Sequence, residues 1–155
     1  MVAIFIFSSQ NGDSSSNVSN EVGEWVLEDV LDIEVPEGVA ASDVEIFAGF
    51  KIRNFAHMFL YFLLGLTSHL LASSLWGIKL SLKPSRVLYS ALCAFGLSLL
   101  YACTDEWHQS YIPGRTATVR DVLIDCIGIT ISIVIVSAVQ LIIYAVKTSR
   151  IKQID

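Results

Sequence analysis

The sequence predicts an all-α, multi-span membrane helical bundle: three full spans, a truncated N-terminal span, and an acidic amphipathic helix outside the membrane. Three observations predict it. Apolar residues make up 54% of the chain and charged residues only 16%, against roughly 25% charged in an average soluble domain. Three apolar runs of 17 to 25 residues match the length that crosses hydrocarbon as a helix. The charge is also divided unevenly. Residues 1–50 carry ten acidic and no basic residues, and residues 51–155 carry five acidic and ten basic ones. That division separates an acidic, water-facing leader, with the truncated first segment, over 1–50 from a membrane bundle with basic ends over 51–155. No basic run interleaved with aromatics suggests nucleic-acid binding.

Met1–Phe7 is apolar, but seven helical residues rise only about 10 Å, too short for a core of about 30 Å. Without the basic start and cleavage site of a signal peptide, it reads as the tail of a longer membrane helix in preference to a short anchoring stub. Ser8–Ser19 is small and polar and reads as a loop. From Asn20 to Ile33, Val22, Trp25, Val26, Val30 and Ile33 recur at helical spacing, with Glu21, Glu24, Glu28, Asp29 and Asp32 on the other face. Its acidity disfavours anionic lipid, so its apolar face is expected to pack on the bundle. Pro36 and Gly38 end it, and Ser42–Phe50 reads as a second short helix.

The first full span is Phe55–Trp76, with Gly65, Thr67 and Ser68 as close-contact positions and His69 as an interhelical, hydrogen-bonded histidine. The second is Val87–Cys103, with Gly96 and Ser98 as contact positions. Pro113-Gly114 marks a turn, and Thr118 is placed to cap the third span, Val122–Val146, with Asp121 standing in for the capping-box acid. Cys93, Cys103 and Cys126 lie in apolar runs without a CxxC and read as small buried residues. Trp76 and Trp107 read as interface anchors. Lys79, Lys83, Arg86, Lys147, Arg150 and Lys152 share one side; Lys51, Arg53, Arg115 and Arg120 share the other. Six against four puts the first side in the cytoplasm.

The chemistry is concentrated in Tyr101–Asp125, YACTDEWHQSYIPGRTATVRDVLID. Ionisable groups beside hydrocarbon are costly and mark a site by default. Asp105 shares a helix face with His108 and Gln109. His57 lies near the outer end of the first span and Asp125 near that of the third, so three helix ends can converge on one polar pocket. A carboxylate beside an imidazole suits general acid–base work, which makes Asp105, Glu106, His108 and His57 the catalytic candidates. Arg115 after Pro-Gly can hold a phosphate or carboxylate. With Gln109, Arg120, Asp121, Asp125 and Tyr61 it forms the ligand-binding candidates. Asp105, His108, His57 and Asp121 or Asp125 are also a conceivable divalent-metal set, although no HExxH occurs. The plainer alternative is that the arginines pair with these acids and only lock the helix ends together.

The stretches FSSQNGDSSSNVS, KIRNFAHMFLYFLLG and TDEWHQSYIPGRTATVRDVLIDCIG together resemble the VanZ family of bacterial multi-span membrane proteins. By that resemblance His57, Tyr61, Asp105, Glu106, Gln109, Arg115 and Asp121 fall on motif positions. The chain departs from the family pattern at Leu60, where an acid is frequent, and at Asp125, where Asn is usual. A full first membrane helix is also usual where this chain has Met1–Phe7, which suggests a late start site or an incomplete chain. The resemblance implies a bacterial cytoplasmic-membrane protein linked to reduced susceptibility to the glycopeptide teicoplanin. No nucleotide- or coenzyme-binding motif accompanies it. The expected partner is a membrane lipid or lipid-linked cell-wall component, bound or modified at an extracytoplasmic polar site. A small transporter or channel is a second reading, although beyond His69 the spans offer few polar residues. A structural or partner-binding protein, docking through the acidic leader, is a third.

Overall fold

The computed structural model describes residues 41–75, 83–115, 117–151 and 153, together with Ile4, Ser9, Asn17, Val18, Glu21, Val22 and Trp25. Three helices carry the fold: α1 (Ala41–Leu75), α2 (Pro84–Gln109) and α3 (Val119–Ile151). Among the described residues there is no β-strand. Each helix contains a segment long and apolar enough to cross a membrane: Ile52–Leu75, Pro84–Gln109 and Val119–Ile151. Only 28–33% of the residues in their most apolar windows are buried. Leu71, Leu88, Leu92, Leu97, Leu123, Val134 and Ile142 are exposed. That much bare hydrocarbon on a water-soluble chain would drive aggregation; on a membrane helix it is the lipid-facing side.

The spans are longer than their apolar runs suggest, because polar residues at the ends continue the helix. Ser42–Phe50 is not a separate short helix: it runs unbroken into the first span, with no proline between Ala41 and Leu75 to interrupt the hydrogen-bond ladder. Likewise α2 continues through Asp105–Gln109, which puts the ionisable cluster on helix rather than loop. Asn17 and Val18 are helical where a loop was expected; Val18 lies four before Val22 and extends its spacing. Of the acidic helix, Glu21, Val22 and Trp25 are helical and exposed. Its remaining positions lie outside the described residues, as do Trp76, Lys79 and Lys152. Within Met1–Phe7 only Ile4 is described, helical and buried.

The chain divides into two compact units. One comprises Met1–His57 and Thr104–Asp121; the other comprises Met58–Cys103 and Val122–Asp155. In the second, α1 and α3 approach through glycine. A Cβ on Gly65 would collide with the Ser132 hydroxyl and lie 3.1 Å from Ile129 Cα. One on Gly128 would collide with the Met58 carbonyl oxygen and lie 3.0 Å from Phe62 N. Gly65 therefore is a contact position as expected, whereas Gly96 faces open space among the described residues. Its place in the apolar run resembles that of Gly65, but it lies off the buried face. Gln140 Nε2 donates to Ser73 Oγ at 2.9 Å and joins the same two helices. Tyr61 and Tyr101 place their rings 6.3 Å apart between α1 and α2.

Cys93 and Cys103 are exposed and Cys126 is half-buried, all as free thiols. This corrects their assignment to the core: a thiol is apolar enough to sit on a lipid-facing surface. His69 is fully buried, yet neither ring nitrogen makes a hydrogen bond to a described residue. The backbone of Ile133 influences the ring electrostatically, but at a geometry short of a bond. Nor is His69 the last buried polar group of the spans, since Ser73, Ser90, Ser98 and Ser132 are buried as well.

The packing gives a direct contrast. Gly128→Ala should lower stability by about 1–3 kcal/mol, because backbone cannot move aside for the new methyl. Gly96→Ala should be neutral or raise stability by roughly 0.5–1 kcal/mol. Thermal unfolding of the two variants in detergent checks the order; equal behaviour would contradict the contact.

Candidate functional site

The C-terminal turns of α2, the 110–118 connection and the first turn of α3 hold two short hydrogen-bonded chains, together the relay. Asp105, Glu106 and Gln109 are each less than a tenth exposed. Buried polar groups of this kind require partners, and each finds one. Gln109 Nε2 donates to Asp105 Oδ2 at 3.1 Å, the i, i+4 pairing that helical spacing allows. Its Oε1 accepts from Arg115 Nη1 at 2.8 Å. The carboxamide has both a donor and an acceptor, so it links an acid to a guanidinium without itself carrying charge.

The second link is Glu106, whose Oε1 accepts from the Thr118 backbone N–H at 2.7 Å. Thr118 caps α3 as expected, with its Oγ1 accepting from Asp121 N at 3.3 Å. The acid half of the capping box is rearranged. Asp121 Oδ2 instead accepts from the Thr118 hydroxyl at 2.9 Å, because the longer Glu106 already occupies the Thr118 N–H. The connection closes through Arg115 N donating to Ile112 O at 3.1 Å. Gly114, at φ 76°, takes the left-handed conformation that the turn needs. Trp107 and Tyr111 stack edge to face at 5.6 Å, both exposed beside the relay, as befits an interfacial anchor.

Two cations belong to the same unit. Arg115 is half-buried. Burial first, and then the charge of Arg53, push its guanidinium below the ordinary arginine range, against the opposing pull of Asp105 and Glu106. It remains a cation, as arginine does throughout the physiological range. His57, four residues after Arg53 on α1, is within electrostatic reach of Asp105, Arg115, Arg53 and Asp121. Acids, an imidazole and two guanidiniums from α1, α2, the connection and α3 therefore share one compact unit.

The structure thus gathers Asp105, Glu106, Gln109, Arg115, Asp121 and His57. His108 is half-buried on the same turn of α2, and Arg120 is exposed at the start of α3. Tyr61 and Asp125 are buried in the membrane-spanning unit instead. Among the described residues no three His, Cys, Asp or Glu side chains form a group that could hold a metal ion. Asp105, His108, His57 and Asp121 or Asp125 are accordingly not assembled as ligands; Asp105 and Asp121 face Gln109 and Thr118. Arg53 and the Thr118 backbone were not among the sequence candidates. The i, i+4 spacing of Arg53 and His57 in RNFAH was the available signal for the first; none pointed to the second.

The Glu106 link makes a testable distinction. Glu106→Gln keeps an oxygen acceptor for the Thr118 N–H and should retain most of the stability. Glu106→Ala strands that N–H and should cost about 1–3 kcal/mol. Thermal unfolding measures both; an alanine variant as stable as the glutamine variant would show that the bond contributes nothing.

No curated protein and no solved structure matches the chain. The VanZ/LLP1 family matches residues 1–143, covering the first span, the relay and most of the last span. The chain belongs to the VanZ/LLP1 family of proteins.

Proposed function

We propose that the relay is an extracytoplasmic site that binds, or modifies, a phosphate-bearing lipid or lipid-linked cell-envelope component, and that it thereby lowers susceptibility to a glycopeptide such as teicoplanin. The observation that carries this reading is the placing of Arg115. Its guanidinium is bonded to the neutral Gln109 and lies within the fields of a second cation, Arg53, and of Asp105 and Glu106. Two guanidiniums near one another repel, and a bound phosphate relieves that repulsion while accepting their fork of donors. Lys83 and Arg86 flank the start of α2, and Lys147 and Arg150 lie near the end of α3; in this reading these are the basic ends of the spans. By the positive-inside tendency those ends are cytoplasmic and the relay faces outward. His57 and Asp105 are the general acid–base candidates for a reaction of the bound group. The location in a bacterial cytoplasmic membrane belongs to this same proposal.

The transporter alternative draws its support from the buried polar residues His69, Ser73, Ser90, Ser98 and Ser132 in the membrane unit. They concern a different part of the molecule from the relay.

Two measurements test the proposal. In nanodiscs containing a polyprenyl diphosphate, Arg115→Ala should weaken binding roughly 10- to 100-fold, the loss of a charge-assisted hydrogen-bonded contact. In a teicoplanin-susceptible host, Asp105→Asn, Glu106→Gln and Arg115→Ala should each reduce protection at equal expression. Full protection by all three variants, with unchanged affinity for Arg115→Ala, would refute the reading.

A further inference from the structure

The membrane-spanning unit carries a second set of polar groups that the relay does not use. On α1, Tyr61, Gly65, His69 and Ser73 recur every fourth residue on a buried face. Tyr61 meets Tyr101 of α2, while Gly65 and Ser73 meet Ser132 and Gln140 of α3. The face bearing His69 is therefore turned inward between α2 and α3. On α2, Val87, Ser90, Ala94, Ser98 and Ala102 form the buried stripe. α1 and α2 run antiparallel from the Tyr61–Tyr101 contact. His69, two turns from Tyr61, thus lies at about the height of the segment between Ser90 and Ser98.

What sets this stripe apart is the state of its polar atoms. A serine or threonine in a membrane helix ordinarily satisfies its hydroxyl on its own helix. Thr67, Thr130, Ser132, Thr148 and Ser149 all do so, donating to carbonyls three or four residues back. Ser90 and Ser98 do not, although both are fully buried. Both nitrogens of the fully buried His69 and the Gln140 Oε1 are likewise without a hydrogen-bond partner among the described residues. A neutral imidazole must offer one N–H and one lone pair. The unpartnered Ser90 and Ser98 hydroxyls and the Gln140 carboxamide oxygen of the same unit are groups that can supply both roles through an intermediary. Polar groups left bare at this depth are unfavourable. A water molecule with two to four such partners is the usual remedy.

We propose that His69, Ser90, Ser98 and Gln140 bind a short column of water inside the three-span unit, with the His69 imidazole at its centre. The inner ligand is water because the donors and acceptors are neutral and unpaired. A charged solute would meet no opposite charge among these four side chains. The column gives the bundle a hydrated interior at a depth where its outer faces are bare hydrocarbon.

Cysteine accessibility tests this in the full chain reconstituted into vesicles. In a background of Cys93→Ala, Cys103→Ala and Cys126→Ala, single Ser90→Cys and Ser98→Cys variants are treated with a small methanethiosulfonate reagent. Its target is the thiolate, which forms only where water reaches the sulfur, so both should react roughly tenfold or more faster than the lipid-facing Leu97→Cys. Adding His69→Leu should slow both. Rates equal to that of Leu97→Cys would overturn the proposal. A measurement on the unaltered chain guards against misfolded variants. Water-edited solid-state NMR of 15N-histidine protein should show transfer from water to the His69 ring, assigned by its loss in His69→Gln. Absence of that transfer, with the signals of His57 and His108 present, would equally overturn it.

Discussion

The arrangement depends on the need to keep polar side chains paired where three hydrophobic helices emerge from the membrane. At the end of α2 that need is met by one neutral side chain. Gln109 gives its N–H to Asp105 and its oxygen to Arg115. A glutamate at this position would set two carboxylates side by side; a leucine would leave both an acid and a guanidinium without that contact. The amide bridges a buried carboxylate and a half-buried cation at adjacent places. Arg115 is thereby directed in part by a neutral bond, within the field of Asp105 and Glu106.

The rest of the fold supplies the conditions for that relay. Glu106 reaches the Thr118 N–H, so α2 also serves the start of α3, and the 110–118 connection is bonded at both ends. In the membrane-spanning unit, Gly65 and Gly128 let α1 and α3 approach to backbone contact, a packing suited to a solvent that offers no hydrophobic drive between helices. The lipid-facing sides need only be apolar, which is why free thiols and large aliphatic residues share them.

Much of this could be read from the residues. The three spans followed from run length, the Pro113-Gly114 turn from its dipeptide, the Thr118 cap from its spacing, and the Asp105–Gln109 pair from helical periodicity. What could not be read was competition among partners. Spacing alone offers the Thr118 N–H to Asp121, three residues away; the bond goes to Glu106, twelve residues back, because folding brings the end of α2 to that point. The same limit explains Gly96. A glycine's place in an apolar run does not reveal which helix face it occupies, and Gly128, passed over in the sequence, makes the contact instead. Arg53 escaped notice as a site residue because its charge was assigned to the tally of basic flanks. Its closeness to Arg115 depends on how α1 lies against the connection. His69 was expected to be bonded, since most buried imidazoles are; composition cannot show that neither of its nitrogens meets a hydrogen-bond partner among the described residues.

The central claim is that Arg115, held by Gln109, is presented to a phosphate. A 15N–31P dipolar recoupling experiment tests it most directly, on protein labelled at the arginine guanidinium and reconstituted with a polyprenyl diphosphate. The account predicts strong dephasing of the Arg115 signal by phosphorus in the unaltered chain and its loss in Gln109→Leu, with the fold retained. An Arg115 signal untouched by phosphorus at saturating lipid, or dephasing that persists undiminished in Gln109→Leu, would contradict it.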